Sequence, residues 1–183
     1  MNQIKLKNIL IAVSNKPSID VLLPILAKYA VKIWATEGTA KYISSKGYEA
    51  TSIVSGFDFD GRVKSLDRTI LAQVLADSAK QNHLDELARM GVEPFDAVVV
   101  ELYNLDKKNF PESMDIGGTT LIRAAIKNFL NIALAFDEAS TKGLTEHLKA
   151  NSGSVLLAFR KTQAKKAARF IEQRSKQEAD LLS

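Results

Sequence analysis

The chain has 183 residues, 46% of them apolar and 25% charged, with 25 Lys and Arg, 21 Asp and Glu, two His and no Cys. This length and composition predict one globular domain. The lack of Cys excludes disulfides, thiolate metal sites and Cys nucleophiles, and two isolated histidines make a metal site improbable. No apolar run approaches the ~20 residues of a membrane span, so we expect a cytoplasmic protein without a membrane partner.

Short apolar runs of strand length alternate with helical patterns along the chain. The strands are predicted at residues 8–13, 31–35, 49–54, 95–101 and 131–136. The helices are predicted at residues 19–30, 39–46, 67–79, 83–90, 118–128, 140–150 and within 154–182. This alternation predicts an α/β fold in three layers, with a mostly parallel central sheet between helices. In such sheets ligands bind outside the carboxyl ends of the strands, so the loops there are the candidate sites.

The first two of these loops contain groups that suit an anion. Ser14-Asn15-Lys16 supplies a hydroxyl, an amide and an ammonium before a helix, whose N-terminal N–H groups attract negative charge. The alternative is a capping loop with Ser18 as the N-cap and Lys16 solvated. The second loop, Thr36-Glu37-Gly38-Thr39, is compatible with a phosphate cradle or with an ordinary capped turn.

The third loop contains Gly61-Arg62-Val63-Lys64-Ser65. Arg62 and Lys64 would lie on the same side of an extended segment. A forked guanidinium suits phosphate, and an ammonium suits an oxyanion or a proton transfer. A surface loop is equally compatible with this spacing.

A fourth segment opens a helix with Asp115-Ile116-Gly117-Gly118 and reaches Lys127 near the helix end. The glycines allow a ligand to approach the backbone closely. Lys127 turned inward beside Asp115 would be a proton-transfer group, whereas a solvated lysine at a helix end is the commoner arrangement.

Three single residues have weaker patterns. Tyr103 follows the strand at 95–101, so it either reaches a site at the strand end or packs on the sheet. His83 and His147 lie in amphipathic helices and are predicted to be surface or cap residues.

The charge is concentrated at the C-terminus. Residues 160–183 hold seven basic and three acidic residues, which is the whole net charge of +4, so residues 1–159 are formally neutral. We therefore expect no nucleic-acid partner, which would require a basic stripe with interleaved aromatics. We divide the domain into a body, 1–159, and a basic helical extension, 160–183, packed on the body or on a dimer mate with a solvated basic face.

Together, the loops resemble the IMP cyclohydrolase domain of the bifunctional purine-biosynthesis enzyme AICAR transformylase/IMP cyclohydrolase, over about residues 9–178. The segments that carry this resemblance are Val13-Ser14-Asn15-Lys16, Thr36-Glu37-Gly38-Thr39-Ala40, Gly61-Arg62-Val63-Lys64-Ser65-Leu66, Leu102-Tyr103, Asp115-Ile116-Gly117-Gly118, Arg123-Ala124-Ala125 and Lys127-Asn128. The resemblance implies a methylglyoxal-synthase-like, Rossmann-like fold and a homodimer. It also implies closure of 5-formamido-imidazole-carboxamide ribotide (FAICAR) to inosine monophosphate (IMP), with loss of water and without metal or organic cofactor.

The same resemblance implies roles for individual residues. It assigns proton transfer to Lys127, oriented by Asp115, and oxyanion stabilisation to Lys64, with Tyr103 beside the reacting groups. The substrate contacts that it implies are Ser14, Asn15, Lys16, Thr36, Glu37, Gly38, Thr39, Arg62, Val63, Ser65, Glu101, Ile116 and Gly117.

Some positions depart from the family pattern. Glu37 replaces a glycine and Glu101 an asparagine, which places two carboxylates near an anionic substrate and leaves its identity open. Nothing in the sequence corresponds to the transformylase half, so a separate AICAR transformylase is an expected partner. Two alternatives remain: a non-catalytic purine-nucleotide or phosphometabolite-binding regulatory module, and a methylglyoxal synthase-like lyase acting on a triose phosphate.

Overall fold

A computed structural model describes residues 2–53 and 66–182 of the chain. The strands are β1 (Gln3–Lys5), β2 (Asn8–Val13), β3 (Lys32–Ala35), β4 (Thr51–Ser52), β5 (Ala97–Glu101), β6 (Ala133–Ala135) and β7 (Ser154–Leu156). The α-helices are α1 (Leu23–Lys28), α2 (Glu37–Ser45), α3 (Arg68–Leu75), α4 (Gln81–Arg89), α5 (Ile116–Lys127), α6 (Glu138–Ala150) and α7 (Leu157–Asp180). Short 3-10 helices span Lys16–Ile19 and Lys107–Asn109.

The central sheet has five strands in the order β4-β3-β2-β5-β6, and every neighbouring pair is parallel. The predicted mostly parallel sheet is confirmed. The chain builds outward from β2 through β3 to β4, and then continues on the other side of β2 with β5 and β6. Strand order therefore reverses between β2 and β5, which is the topological switch point where open α/β sheets bind ligands.

Two hydrophobic clusters cover the two faces of the sheet, which gives the predicted three layers. Side chains alternate between faces along β2, so that Ile9 and Ile11 join one cluster and Leu10 joins the other. Helices α1, α2 and α6 contribute to the first cluster, and α3, α5 and α7 to the second. Because both faces are covered, the central strands are almost continuously apolar.

The C-terminal helix lies within the predicted range but is less solvated than the sequence predicts. Helix α7 has 24 residues, and residue 160, where we divided the chain, lies inside it. Two of its basic side chains, Arg160 and Arg174, are buried against the body. No helix in the described part of the chain is long and apolar enough to span a membrane.

Other local features differ from the predictions. The predicted helix at 19–30 is split into a 3-10 turn and the short helix α1, and Ser18 lies inside the turn instead of capping a helix. Strands β1 and β7 were not predicted, because three residues are too few for a periodic pattern; they pair antiparallel with each other.

The two histidines are half-buried and bond the backbone. His83 Nδ1 accepts a hydrogen bond from the Asp77 amide at 3.0 Å, and His147 Nε2 accepts one from the Leu156 amide at 3.1 Å. The His147 ring also stacks on Phe159, and burial lowers its pKa. Both side chains therefore have structural roles in joining neighbouring elements.

Candidate active site

The loops that follow β2 and β5 meet at the switch point. The Ser14 amide donates to the Glu101 carbonyl at 3.0 Å, and Ser14 Oγ donates to the Leu102 carbonyl at 2.9 Å. We call the residues gathered here the switch site: 14–18, 36–39, 101–103 and 115–118. Parallel pairing of β2 with both β3 and β5 brings these segments to the same edge of the sheet, although they lie up to about a hundred residues apart in sequence.

Lys16 stands between two of the predicted loops. Its ammonium donates to the Val13 carbonyl, and its Cε lies 4.0 Å from the position that a Cβ on Gly38 would occupy. Burial lowers the pKa of Lys16, and the nearby negative charge of Glu101 opposes that shift. The first two predicted loops are thus adjacent, with a partly desolvated cation beside the start of α2.

The N-terminus of α2 has no side-chain cap. Thr36 occupies the N-cap position without capping the helix, and its Oγ1 pairs instead with Thr39 Oγ1 at 3.0 Å. Glu37, whose carboxylate would repel an anionic substrate, is exposed and forms an ion pair with Lys41 at 2.7 Å. No side chain caps this first turn, so the positive end of the α2 dipole lies next to Lys16, an arrangement that favours an anion.

Glu101 places a carboxylate in the switch site, at the end of β5. Its Oε2 lies 2.7 Å from Ser18 Oγ, which also lies 2.7 Å from the Asn15 carbonyl. Ser18 is buried. Sequence reasoning treated Ser18 only as a possible cap and missed this contact, because the pairing depends on the adjacency of β2 and β5.

Asp115 is the N-cap of α5. Its Oδ1 accepts a hydrogen bond from the Gly118 amide at 2.7 Å, and its Oδ2 accepts a longer one from the Tyr103 amide at 3.4 Å. A carboxylate at a helix N-terminus is favourable, because it satisfies N–H groups there and complements the helix dipole. Asp115 therefore has a fixed orientation and links the segment after β5 to the start of α5.

Two apolar or aromatic side chains beside Asp115 face solvent. Tyr103 is 63% exposed and Ile116 is 50% exposed. Of the two alternatives for Tyr103, packing on the sheet is therefore wrong. Gly117 is half-buried, and Gly118 is fully enclosed by Leu102 and the Asp115 carboxylate.

Lys127 does not join this group within one copy of the chain. Asp115 caps the first turn of α5, whereas Lys127 is the last residue of this 12-residue helix and is exposed. At 1.5 Å per residue the two ends of the helix are about 18 Å apart. The predicted pairing of Asp115 with Lys127 is therefore wrong for a single chain, because a spacing of twelve residues along a straight helix separates its ends.

Four predicted residues, Arg62, Val63, Lys64 and Ser65, lie outside the described residues. Within residues 2–53 and 66–182, no group of three or more His, Asp or Glu side chains could hold a metal ion.

The parallel sheet and the polar segments at its switch point define a doubly wound α/β protein with a site suited to a small anionic ligand. A comparison with protein families identifies residues 22–134 as an MGS-like domain. Because this match covers more than half of the chain, the chain belongs to the MGS-like domain family.

Similar proteins agree with this assignment. The "bifunctional purine biosynthesis protein PurH" of Ruminiclostridium cellulolyticum is 35% identical over 85% of this chain, and the PurH of Acetivibrio thermocellus is 34% identical over 93%. The chain spans about a third of the length of these curated relatives, 33% and 35% respectively. A solved structure described as "Crystal structure of ForH" is 28% identical, with a TM-score of 0.86 over 97% of this chain and 100% of that one. The resemblance and fold class predicted from the sequence are confirmed.

Proposed function

We propose that the chain is a purine-biosynthesis enzyme, an IMP cyclohydrolase that closes FAICAR to IMP with loss of water. The observation that carries this proposal is the switch site. There the Lys16 ammonium, the uncapped N-terminus of α2 and the N-cap carboxylate of Asp115 converge in a chain related to PurH proteins. A purine ribonucleotide is the proposed substrate, a separate AICAR transformylase is a proposed partner, and the cytoplasm is the proposed location.

The phosphate of the substrate would bind at Lys16 and the first turn of α2. A phosphate dianion there would accept hydrogen bonds from backbone N–H groups of α2 and a charge-assisted hydrogen bond from Lys16. Ser14 and Asn15 precede Lys16, and the resemblance adds Arg62 to the same phosphate.

The reacting groups would then lie toward the N-terminus of α5. In the proposed reaction the carboxamide nitrogen attacks the formyl carbon and a C–N bond forms. One proton from that nitrogen and one from the formamide nitrogen reach the formyl oxygen, its C–O bond breaks, and water leaves as a C=N bond forms. Residues 115–117 and the exposed Tyr103 would hold the carboxamide and formyl groups in the folded conformer. Because the attack is intramolecular, fixing that conformer supplies much of the acceleration. Lys64 is the proposed oxyanion donor, a kind of contact whose loss costs about 10²–10³ in rate.

Conversion of FAICAR to IMP, followed by ultraviolet absorbance with no added metal, tests this function. We expect the purified chain to turn over FAICAR and the Lys16→Met variant to be severely impaired. A folded chain that leaves FAICAR unchanged would refute the enzyme.

One observation favours a second candidate, a regulatory module that binds purine nucleotides or phosphometabolites. Glu101 places a carboxylate beside Lys16 where the family pattern has an amide. A site altered in this way would bind a phosphorylated ligand at Lys16 without turning it over. Thermal stabilisation by purine monophosphates without turnover would support this alternative.

We further propose that the chain acts as a homodimer in which Lys127 of one copy serves the switch site of the other. This arrangement reconciles the proposed proton-transfer role of Lys127 with its position about 18 Å from Asp115 in its own copy. In a dimer with two-fold symmetry, Lys127 of each copy would lie at the switch site of the other copy, so the dimer would have two complete sites.

A complementation experiment tests this arrangement. We expect Lys127→Ala and Asp115→Ala each to abolish turnover alone, and a re-equilibrated equal mixture to recover about a quarter of the parental activity. Half of the dimers in such a mixture are mixed, and each mixed dimer keeps one site with both residues intact. Recovery of no activity, or full activity of Lys127→Ala alone, would contradict the shared site.

Glu101→Gln gives a pH-dependent prediction. Phosphate binding needs Lys16 protonated, so affinity is complete below the pKa of Lys16 in the unliganded protein and falls as the pH rises through it. Burial already lowers that pKa, and the charge of Glu101 raises it. Removing the charge should therefore tighten IMP binding near pH 7 and move the alkaline loss of affinity to lower pH.

Calorimetric titration of IMP between pH 7 and pH 10 measures both effects. Glu37→Gln is the matched control, because this exposed carboxylate belongs to the same site but is paired with Lys41. An alkaline limb that does not move in Glu101→Gln would show that Lys16 does not govern phosphate binding.

A further inference from the structure

Two of the seven basic residues between 160 and 183 are buried, and both lie on one face of α7. Arg160 is 1% exposed and Arg174 is 8% exposed. Their spacing of fourteen residues is close to four helical turns, so the two side chains project from the same face. The other five, Lys161, Lys165, Lys166, Arg169 and Lys176, are exposed.

Arg160 bonds the C-terminal end of α5. Its guanidinium donates to the carbonyl of Leu130 and, at 3.3 Å, to the carbonyl of Phe129. Both carbonyls belong to the turn that follows the α5 C-cap, Asn128. The C-terminal end of a helix carries partial negative charge, so a cation there is favourable.

Arg174 lies at the other end of α5. Its Nε donates to Glu178 Oε1 at 3.0 Å, and these two side chains are only 9% and 16% exposed. Its second guanidinium nitrogen reaches the Ser113 carbonyl at 3.5 Å. Ser113 precedes the Asp115 cap by two residues.

The segment that Arg174 contacts is internally bonded. Ser113 Oγ lies 3.1 Å from both the amide and the carbonyl of Asp106, and the Met114 amide donates to the Pro111 carbonyl at 3.0 Å. This segment is the connection between the end of β5 and the start of α5, so a contact at Ser113 bears directly on where Asp115 stands.

The lengths of the two helices match this arrangement. Fourteen residues of α7 span about 21 Å, and the twelve residues of α5 span about 18 Å. The buried alanines Ala164 and Ala167 lie between the two arginines on α7 and allow close approach to its neighbours. The two guanidiniums therefore contact the chain just beyond each end of α5.

We infer that Arg160 and Arg174 clamp α5 lengthwise, and that Arg174 is a positioning residue that holds Ser113 and thereby Asp115 at the switch site. The basic C-terminal helix then helps to position the side chains of the site. This inference rests on the proposed function for its catalytic consequence, because Asp115 must contact the substrate. The clamp itself does not depend on that function.

The test uses the full chain and three variants. Arg174→Met alone leaves Glu178 partly buried without its cation, so it can lower stability for reasons unrelated to the site. The double variant Arg174→Met/Glu178→Met removes both charges at similar volume, and such replacements are often neutral or stabilising. Arg169→Met, an exposed arginine on the same helix, is the matched control.

We expect the double variant to keep the parental melting temperature but to lose about tenfold to 100-fold in kcat for FAICAR closure. Its KM should change less than about threefold, because the phosphate contacts at Lys16 and α2 are untouched. If the double variant has both the parental melting temperature and the parental kcat, Arg174 has a structural role alone and the inference is overturned.

Amide hydrogen exchange at residues 115–119 separates this inference from the proposed function. We expect the double variant to exchange the Gly118 and Thr119 amides at least about tenfold faster than Arg169→Met. This readout needs no turnover, so a parent chain that leaves FAICAR unchanged would refute the enzyme while the clamp is still tested. Unchanged exchange at these amides would refute the clamp.

Discussion

Lys16→Met is expected to weaken IMP binding about 10-fold to 100-fold, equivalent to about 1.4–2.8 kcal/mol. Methionine retains an apolar stem of similar length but removes the charge. The loss corresponds to a hydrogen bond that involves an ionised group, which contributes about 1.5–3 kcal/mol. Lys16 stands beside the uncapped first turn of α2, and residues 37–40 of that turn include no basic side chain that could replace it.

Calorimetric titration of IMP at pH 7 and low ionic strength measures this change. Lys41→Met is the matched control, because Lys41 lies on the same helix but is exposed and paired with Glu37. Its affinity for IMP should stay within about twofold of the parent, since exposed ion pairs contribute little. Equal effects in the two variants would indicate a diffuse electrostatic attraction in place of a phosphate contact.

Gly118→Ala is expected to lower the free energy of unfolding by about 2–3 kcal/mol. A Cβ at this position would stand 2.5 Å from Leu102 Cδ2 and 2.8 and 2.9 Å from the two Asp115 carboxylate oxygens. Overpacking of this kind costs about 1–3 kcal/mol, and displacement of an N-cap carboxylate costs about 0.5–2 kcal/mol. The gain in helix propensity from alanine, about 0.5–1 kcal/mol, offsets part of this loss.

Urea unfolding at fixed protein concentration measures the effect as a lower midpoint with an unchanged slope. Gly143→Ala in α6 is the control, because among the described residues its Cβ would meet just Gln163 Nε2, at an ordinary 3.6 Å. That variant should be as stable as the parent or more stable by about 0.5–1 kcal/mol. A Gly118→Ala chain as stable as Gly143→Ala would show that the contact around Asp115 yields without cost.

Many elements of the fold could be predicted from local sequence alone. Asn8–Val13 was predicted with the bounds observed, because a strand covered on both faces is a continuous apolar run. The long helices were found because an amphipathic period repeats several times along them. The two three-residue strands β1 and β7 have no such repeat, and their existence depends on their pairing with each other.

The candidate site was predictable only in part. Family motifs singled out Lys16, Gly38 and Asp115, and the structure brings their segments to one switch point. The contact of Ser18 with Glu101 links residues 83 positions apart, and no local pattern signals such a pair. Lys127 and Asp115 do not pair within one copy of the chain, because they lie at opposite ends of the same helix and motif spacing gives no distance between side chains.

Periodicity and motif order are local properties, and they were enough to predict an α/β domain of the MGS-like kind with candidate anion-binding loops at the ends of its strands. A count of charges along the chain also places the whole net charge in residues 160–183. What those charges do depends on how the folded chain packs. Five remain in solvent, while Arg160 and Arg174 are buried at opposite ends of α5, since burial depends on which helix packs alongside.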